Sequence, residues 1–198
     1  MIIKNFENEE EWLEFRKGKI TGSKKIKPSR GNNKLIGFYK LIADKLALPI
    51  GEDNPMERGK ELEAEAIEEF AKIIGEKVDN NLVIWLRDDN ANIALSPDGI
   101  ISDEEAVEVK CLLSARHIEA FLKQEIPSKY KEQVLQYFVV NEKLQKLYFV
   151  FYNPKFMVHQ LFYITILRET IKTEVESYLE FQRKTLEEVN EIVNKLSF

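Results

Sequence analysis

Three places in the chain put polar groups where apolar periodicity calls for hydrophobic ones, and together they offer ligands for a hard cation with a lysine beside it. Burying a charge is costly unless something pairs with it, so such positions are where chemistry is built. In residues 56–74, Glu63 precedes Ala66, Ile67, Phe70 and Ile74 by three, four, seven and eleven positions, which sets it on the apolar stripe of a helix. Glu61, Glu65, Glu68 and Lys72 fall on the other side. A carboxylate near a helix start is also favoured by the dipole and can reach water, so a surface role for Glu63 stands beside the chemical one. In the run Ala106 to Cys111, alternation puts Glu108 and Lys110 on one face and Val107, Val109 and Cys111 on the other. A half-exposed strand carrying a surface ion pair would show the same pattern. Just upstream, Ser96-Pro97-Asp98-Gly99 has the composition of a turn. An Asp at that turn and a Glu on the neighbouring strand can converge on one point, giving oxygen ligands for Mg²⁺. Finally, Gln133 shares a helical stripe with Tyr130, Tyr137, Val140 and Leu144, an amide directed inward that backbone groups could equally satisfy.

The elements that must position these groups follow from the periodicity. A first helix is expected over residues 8–17, a turn or helix from Gly22 and Ser23, a breaker-rich loop from Pro28 to Asn33, and a helix from Lys34 to Leu46 ended by Pro49 and Gly51. Residues 56–74 form the clearest helix, stopped by Gly75. The period then changes to short β-branched runs at 82–87, 91–95, 99–101 and 106–111, separated by turn residues, which predict a meander of strands. Helical patterning returns at 114–123 and 128–144, strands are expected at 146–152 and 156–164, and a long charged helix closes the chain. This order predicts an α/β (α+β) fold, a central mixed sheet flanked by helices, and one domain over residues 1–198.

Composition narrows the function. The 198 residues are 44% apolar, enough for one ordinary core. A lone Cys111 excludes an internal disulfide and any cysteine-ligated zinc or iron–sulfur cluster, and two distant histidines, His117 and His159, argue against a histidine zinc site. No apolar run approaches the roughly 18–20 residues needed to span a bilayer, and the start MIIKNFENEE lacks a signal sequence, so a cytoplasmic protein is expected. The net charge of −5 argues on its face against a nucleic-acid partner. It is an average, however: residues 16–40 hold nine Lys and Arg and no acid, and residues 1–40 sum to +5, leaving −10 for the rest. A solvated lysine-rich face is the plain explanation, but a run of this length keeps an anionic ligand open.

Five blocks in order extend the pattern: Trp12-x-x-x-Arg16 with Ile20-Thr21-Gly22-Ser23; Arg58-Gly59-Lys60-Glu61-Leu62-Glu63; Ser96-Pro97-Asp98-Gly99; Glu108-Val109-Lys110-Cys111; and Tyr130-x-x-Gln133-Val134. On these blocks, over a match from about Trp12 to Tyr152, the chain resembles the phage-type alkaline exonucleases, the lambda exonuclease and YqaJ-like recombinases of the PD-(D/E)xK nuclease superfamily. The resemblance implies a restriction-endonuclease-like core and a Mg²⁺-dependent 5′→3′ exonuclease that degrades one strand of linear double-stranded DNA from a 5′-phosphorylated end, leaving 3′ overhangs for recombination. It implies that Asp98, Glu108 and the Val109 carbonyl bind Mg²⁺, with Glu63 supporting a second ion or its waters and Mn²⁺ able to substitute. Lys110 would position and polarise the attacking water, and Gln133 would hold that lysine or water in register. Arg16, Ser23 and Ser96 would form a pocket for the terminal 5′-phosphate, as suits a guanidinium and hydroxyls outside the metal cluster. A single-strand annealing protein and a homotrimer are implied as partners, and the cytoplasm of a bacterial host as the compartment.

Gly22 stands where the family pattern has alanine, and the chain is shorter than the lambda enzyme at its C-terminal end. Two alternatives are compatible with these residues: a DNA endonuclease of the same superfamily, and a catalytically silent module that binds DNA ends. The lone cysteine removes the Cas4-like version, which needs an iron–sulfur cluster. Retention of Asp98, Glu108 and Lys110 together speaks against a silent module.

Overall fold

A computed structural model describes Glu11, residues 55–81 and residues 83–196. The expected helices at 8–17 and 34–46, the turn at Gly22 and Ser23, and the residues Arg16 and Ser23 lie outside the described residues, apart from Glu11, which is helical. Helix α1 runs over Pro55–Ile74 and stops at Gly75, whose φ of 72° is the left-handed conformation that glycine adopts without a Cβ penalty.

Four strands form a mixed sheet: β3 (Gly99–Ile100), β4 (Glu105–Lys110), β5 (Lys146–Tyr152) and β6 (Leu161–Leu167), side by side in that order. The β4 and β5 strands are parallel and the outer pairings antiparallel. Such a parallel pair needs a crossover, here made by α2 (Ser114–Lys123), a 3₁₀ turn at Ser128–Tyr130 and α3 (Lys131–Val140). After β6 and a second 3₁₀ turn, α4 covers Lys172–Leu196. Among the described residues no helix is long and apolar enough to cross a membrane.

The expected mixed sheet with flanking helices is present, with three differences in detail. The strands between residues 82 and 111 are not one meander: β1 (Trp85–Arg87) and β2 (Asn90–Leu95) pair in a separate two-stranded sheet, and Ser96-Pro97-Asp98 carries the chain from it into β3. The helix expected to reach residue 144 ends at Val140. There Asn141 Oδ1 accepts the Lys143 N–H at 3.0 Å, an Asx turn, and Arg168 takes the freed carbonyls of Phe138 and Asn141 at 2.9 and 2.6 Å. The last strand starts at Leu161 rather than 156, because Asn153 and Pro154 open a loop that the Asn153 N–H closes on the Gln160 carbonyl at 2.8 Å.

Two apolar layers sandwich the sheet. On one face Val107, Val109, Val150 and Tyr152 meet Ala66, Ile67 and Phe70 of α1. On the other, Ala106, Leu147, Phe149 and Phe151 meet Tyr137, Phe138 and their neighbours on α3. The β4 strand is therefore buried on both faces through its centre, and Glu108, paired in register with Phe149, projects into the second layer.

Candidate active site

The site grows from β4. Period-two alternation sends Val107 and Val109 into the α1 layer, so Glu108 must face α3, where it is 0% exposed. The surface-ion-pair reading of Glu108 and Lys110 thus fails for the carboxylate, while the Lys110 side chain keeps 21% of its surface exposed. A buried carboxylate needs partners, and α3 supplies two. The Gln133 amide donates to Glu108 Oε1 at 2.6 Å, and the Tyr137 hydroxyl, one turn along the same stripe, lies 2.7 Å from Glu108 Oε2. The Lys110 ammonium pairs with Glu108 Oε1 as well.

Asp98, the residue before β3, arrives along the edge of β4 that β3 pairs with. Its Oδ2 accepts the Val109 N–H at 2.8 Å, and its own N–H donates to the Tyr137 hydroxyl at 3.2 Å. Tyr137 is 3.1 Å from the Val107 carbonyl as well, so one phenol ties together the Asp98 turn, the β4 backbone and the Glu108 carboxylate. Gly99 is what lets the turn dock. A Cβ at this position would come within 2.6 Å of Val78 Cγ1 and 3.3 Å of Val107 Cβ, so the packing of Val78 on β3 favours its absence.

Electrostatics mark the same cluster. Burial pushes the Glu108 carboxyl up to about 7, with the charge of Asp98 adding to it and Lys110 and Tyr137 opposing. Asp98 is raised by burial against the pull of the Val109 N–H and Lys110. Glu63, half-buried on α1, is raised by burial and then by Asp98, and lowered by Lys110, which places it in the same field. For Lys110 burial acts downward, but Glu108 and Asp98 outweigh it and leave the ammonium above its ordinary value.

Of the residues expected to act together, the structure joins Asp98, Glu108, Lys110 and Gln133 by hydrogen bonds and an ion pair around the Val109 backbone, and sets Glu63 within the field of Asp98 and Lys110. Gln133 contacts the Glu108 carboxylate. Ser96 stands two residues before Asp98, exposed, its hydroxyl donating to the Val83 carbonyl at 2.7 Å. Sequence reasoning missed Tyr137, counting it as one more apolar residue on the Gln133 stripe. The available signal was its hydroxyl: a tyrosine facing the core four residues from an inward glutamine needs a polar partner there.

Three carboxylates against one ammonium leave a formal excess of two negative charges; burial raises each carboxyl most, and the charge of Asp98 adds to it at Glu108 and Glu63. Hard oxygen donors with that charge fit a divalent cation. Among the described residues no three His, Cys, Asp or Glu side chains converge closely enough to hold a metal by themselves. An ion here would therefore combine side-chain with backbone or water oxygens.

The sequence profile of the YqaJ-like viral recombinase domain matches residues 11–143, a span that holds all five blocks up to Gln133 and Val134. The chain belongs to this family. Its fold is similar to the crystal structure of an alkaline exonuclease, LHK-Exo from Laribacter hongkongensis, at 27% identity and a TM-score of 0.55, over 94% of this chain and 99% of that one. The structure of LHK-Exo in complex with dAMP matches with the same figures. No curated protein matches the chain. The likeness agrees with a mixed sheet flanked by helices.

Proposed function

We propose that the chain is a Mg²⁺-dependent exodeoxyribonuclease that degrades one strand of linear double-stranded DNA 5′→3′ from a phosphorylated end, producing 3′ overhangs for recombination. The observation that carries this reading is the full burial of Glu108 beside Lys110, tied through Tyr137 to the half-buried Asp98, with Glu63 in the same field. Burial raises the Glu108 carboxyl and the Asp98 charge raises both Glu108 and Glu63 further, a cost that a bound cation would offset. The YqaJ-like membership and the likeness to an alkaline exonuclease support the choice of DNA hydrolysis.

Asp98, Glu108 and the Val109 carbonyl would hold Mg²⁺, with Glu63 aiding a second ion, and Mn²⁺ would substitute. When bound, Mg²⁺ supplies charge for the phosphorane and the leaving 3′-oxygen and lowers the pKa of water. The chain's own groups do the rest. Gln133 and Tyr137 fix both oxygens of the Glu108 carboxylate, which prevents it from turning away from the cleft. Lys110, protonated and anchored at Glu108, directs N–H donors toward the cleft, where they orient an attacking water and a phosphoryl oxygen. Arg16, Ser23 and Ser96 would receive the terminal 5′-phosphate and so set polarity. A single-strand annealing protein as partner, a homotrimer and a bacterial cytoplasm belong to the same proposal.

Digestion of linear duplexes that differ only in the 5′-phosphate, with Mg²⁺ or Ca²⁺, tests reaction, polarity and metal together. Expected are mononucleotides released with Mg²⁺ only, faster from the phosphorylated end, and closed circles left intact. Linearised plasmid from a closed circle would establish an endonuclease instead, and tight end binding with no hydrolysis in Mg²⁺ or Mn²⁺ a silent module.

A further inference from the structure

Helix α2 and the segment after it, through the 3₁₀ turn, enclose a cavity of about 420 Å³. That lies within the range of about 300–1,000 Å³ common for small-molecule sites. Leu112, Ile126 and Pro127 give it an apolar floor, and Arg116, Lys123 and Lys129 stand on its wall. Glu119 and Glu125 line it too, so cations exceed acids by one. Glu119 holds Arg116 and Lys123 at 2.8 Å each, and the Arg116 side chain stays 55% exposed. Arg116 is largely solvated and shares the one half-buried Glu119 carboxylate with Lys123, so the two cations outnumber their acid and an incoming phosphate can engage them.

The cavity is one aromatic ring away from the site described above. Tyr130 carries Lys110 Nζ 5.3 Å from its ring centroid and Lys129 Nζ at 4.6 Å, and Leu112 follows Lys110 by two residues. An apolar floor suits the face of a base or sugar, and the cations suit a phosphate. We propose that this cavity is a subsite for one nucleotide of the bound DNA strand, flanking the scissile phosphate. Arg116 and Lys129 take its phosphate, and Leu112 and Ile126 face its base or sugar. The proposal rests on the nuclease reading and assigns that site a further contact with its substrate.

The test compares the parent chain with the Arg116→Ala/Lys129→Ala double variant, for hydrolysis of linear duplex DNA in Mg²⁺ and for anisotropy of a labelled duplex in Ca²⁺ over a salt series. Removing two exposed side chains should raise KM roughly fivefold, with kcat within a factor of about two. The slope of log affinity against log salt should become shallower by about one to two, which a purely structural role would not change. Parent-like KM and salt slope, with hydrolysis intact in both proteins, overturn the subsite and leave the nuclease reading standing. A parent that binds the duplex but never hydrolyses it overturns the nuclease reading first. Deoxynucleoside 5′-monophosphate is the third probe: inhibition lost in the variant while KM for DNA is unchanged would assign the cavity to released product and overturn the strand assignment.

Discussion

One strand, β4, carries two Glu–Lys–Tyr groupings that differ chiefly in burial. At its N-terminal end Glu105 pairs with Lys146 at 2.9 Å, with the Tyr148 hydroxyl 3.1 Å from the same carboxylate, and both charged side chains remain about a third exposed or a little less, at 26 and 32%. Toward its C-terminal end Glu108 pairs with Lys110 and Tyr137, but at 0% exposure and with Asp98 and Glu63 in the same field. The first grouping balances its charge and faces water. The second sets one fully buried carboxylate in the field of another acid, and there the carboxyl is pushed up to about 7. Residue types alone therefore do not make a reactive centre; burial together with uncompensated charge does.

The largest expected effect separates the two directly. Glu108→Gln keeps the shape of the side chain and should lower the rate of DNA hydrolysis on the order of 10³-fold or more, since the residue is assigned to the metal and the lysine at once. Lys110→Ala should do the same. If either variant digests linear duplex at the parent rate, the two ends of β4 are functionally alike and the site assignment is wrong.

Next in size is a pH effect on stability. The Glu108 carboxyl lies near 7 in the folded chain against an ordinary 4.5, so between those values the folded state binds more protons than the unfolded. Its contribution is complete below about pH 4.5 and is lost as pH rises through 7, with Asp98 and Glu63 shifted in the same direction. Without divalent ions, stability should fall by up to about 3 kcal/mol across that window. Millimolar Mg²⁺ should restore much of it, and Glu108→Gln should flatten most of the slope. Thermal melts at pH 5 and 7.5, with and without Mg²⁺, read this out; a melting temperature that climbs with pH in the absence of metal would reverse the assigned sign.

Tyr137→Phe comes third. It removes the hydroxyl that joins Glu108, the β4 backbone and the Asp98 turn, at a cost of about 1–3 kcal/mol for the partners left unsatisfied. Activity should fall about 10–100-fold, as for other residues that hold a metal ligand in place. Chemical denaturation and single-turnover hydrolysis measure the two losses separately, and a fully active, fully stable variant would leave the phenol without its role.

Much of this contrast was legible in the sequence, for a physical reason. Glu63 and Gln133 interrupt apolar stripes of period 3.6, and Glu108 interrupts a strand whose neighbours are buried, so each could be recognised by its misplacement. What periodicity could not give was depth. Glu105-x-x-Glu108-x-Lys110 looks uniformly charged, and only the register of β4 against β5, with Glu108 opposite Phe149 and Glu105 opposite Lys146, separates the buried end from the wet one. Tyr137 escaped because a tyrosine satisfies an apolar stripe and hides its hydroxyl within it. The splitting of residues 82–111 into two sheets escaped because strand periodicity is the same whichever partner a strand chooses.

The smallest effect is the control that keeps the comparison sharp. Glu105→Gln breaks a pair that is partly solvated and balanced, so it should cost no more than about 0.5–1 kcal/mol and leave hydrolysis within a factor of about two. The Lys146 ammonium, raised mainly by its bond to Glu105 and then by Tyr148, should drift back toward its ordinary value, which NMR titration of the lysine can follow. A tenfold loss of activity in Glu105→Gln would show that the N-terminal end of β4 communicates with the Glu108 cluster through the strand, and burial would no longer suffice to distinguish the two.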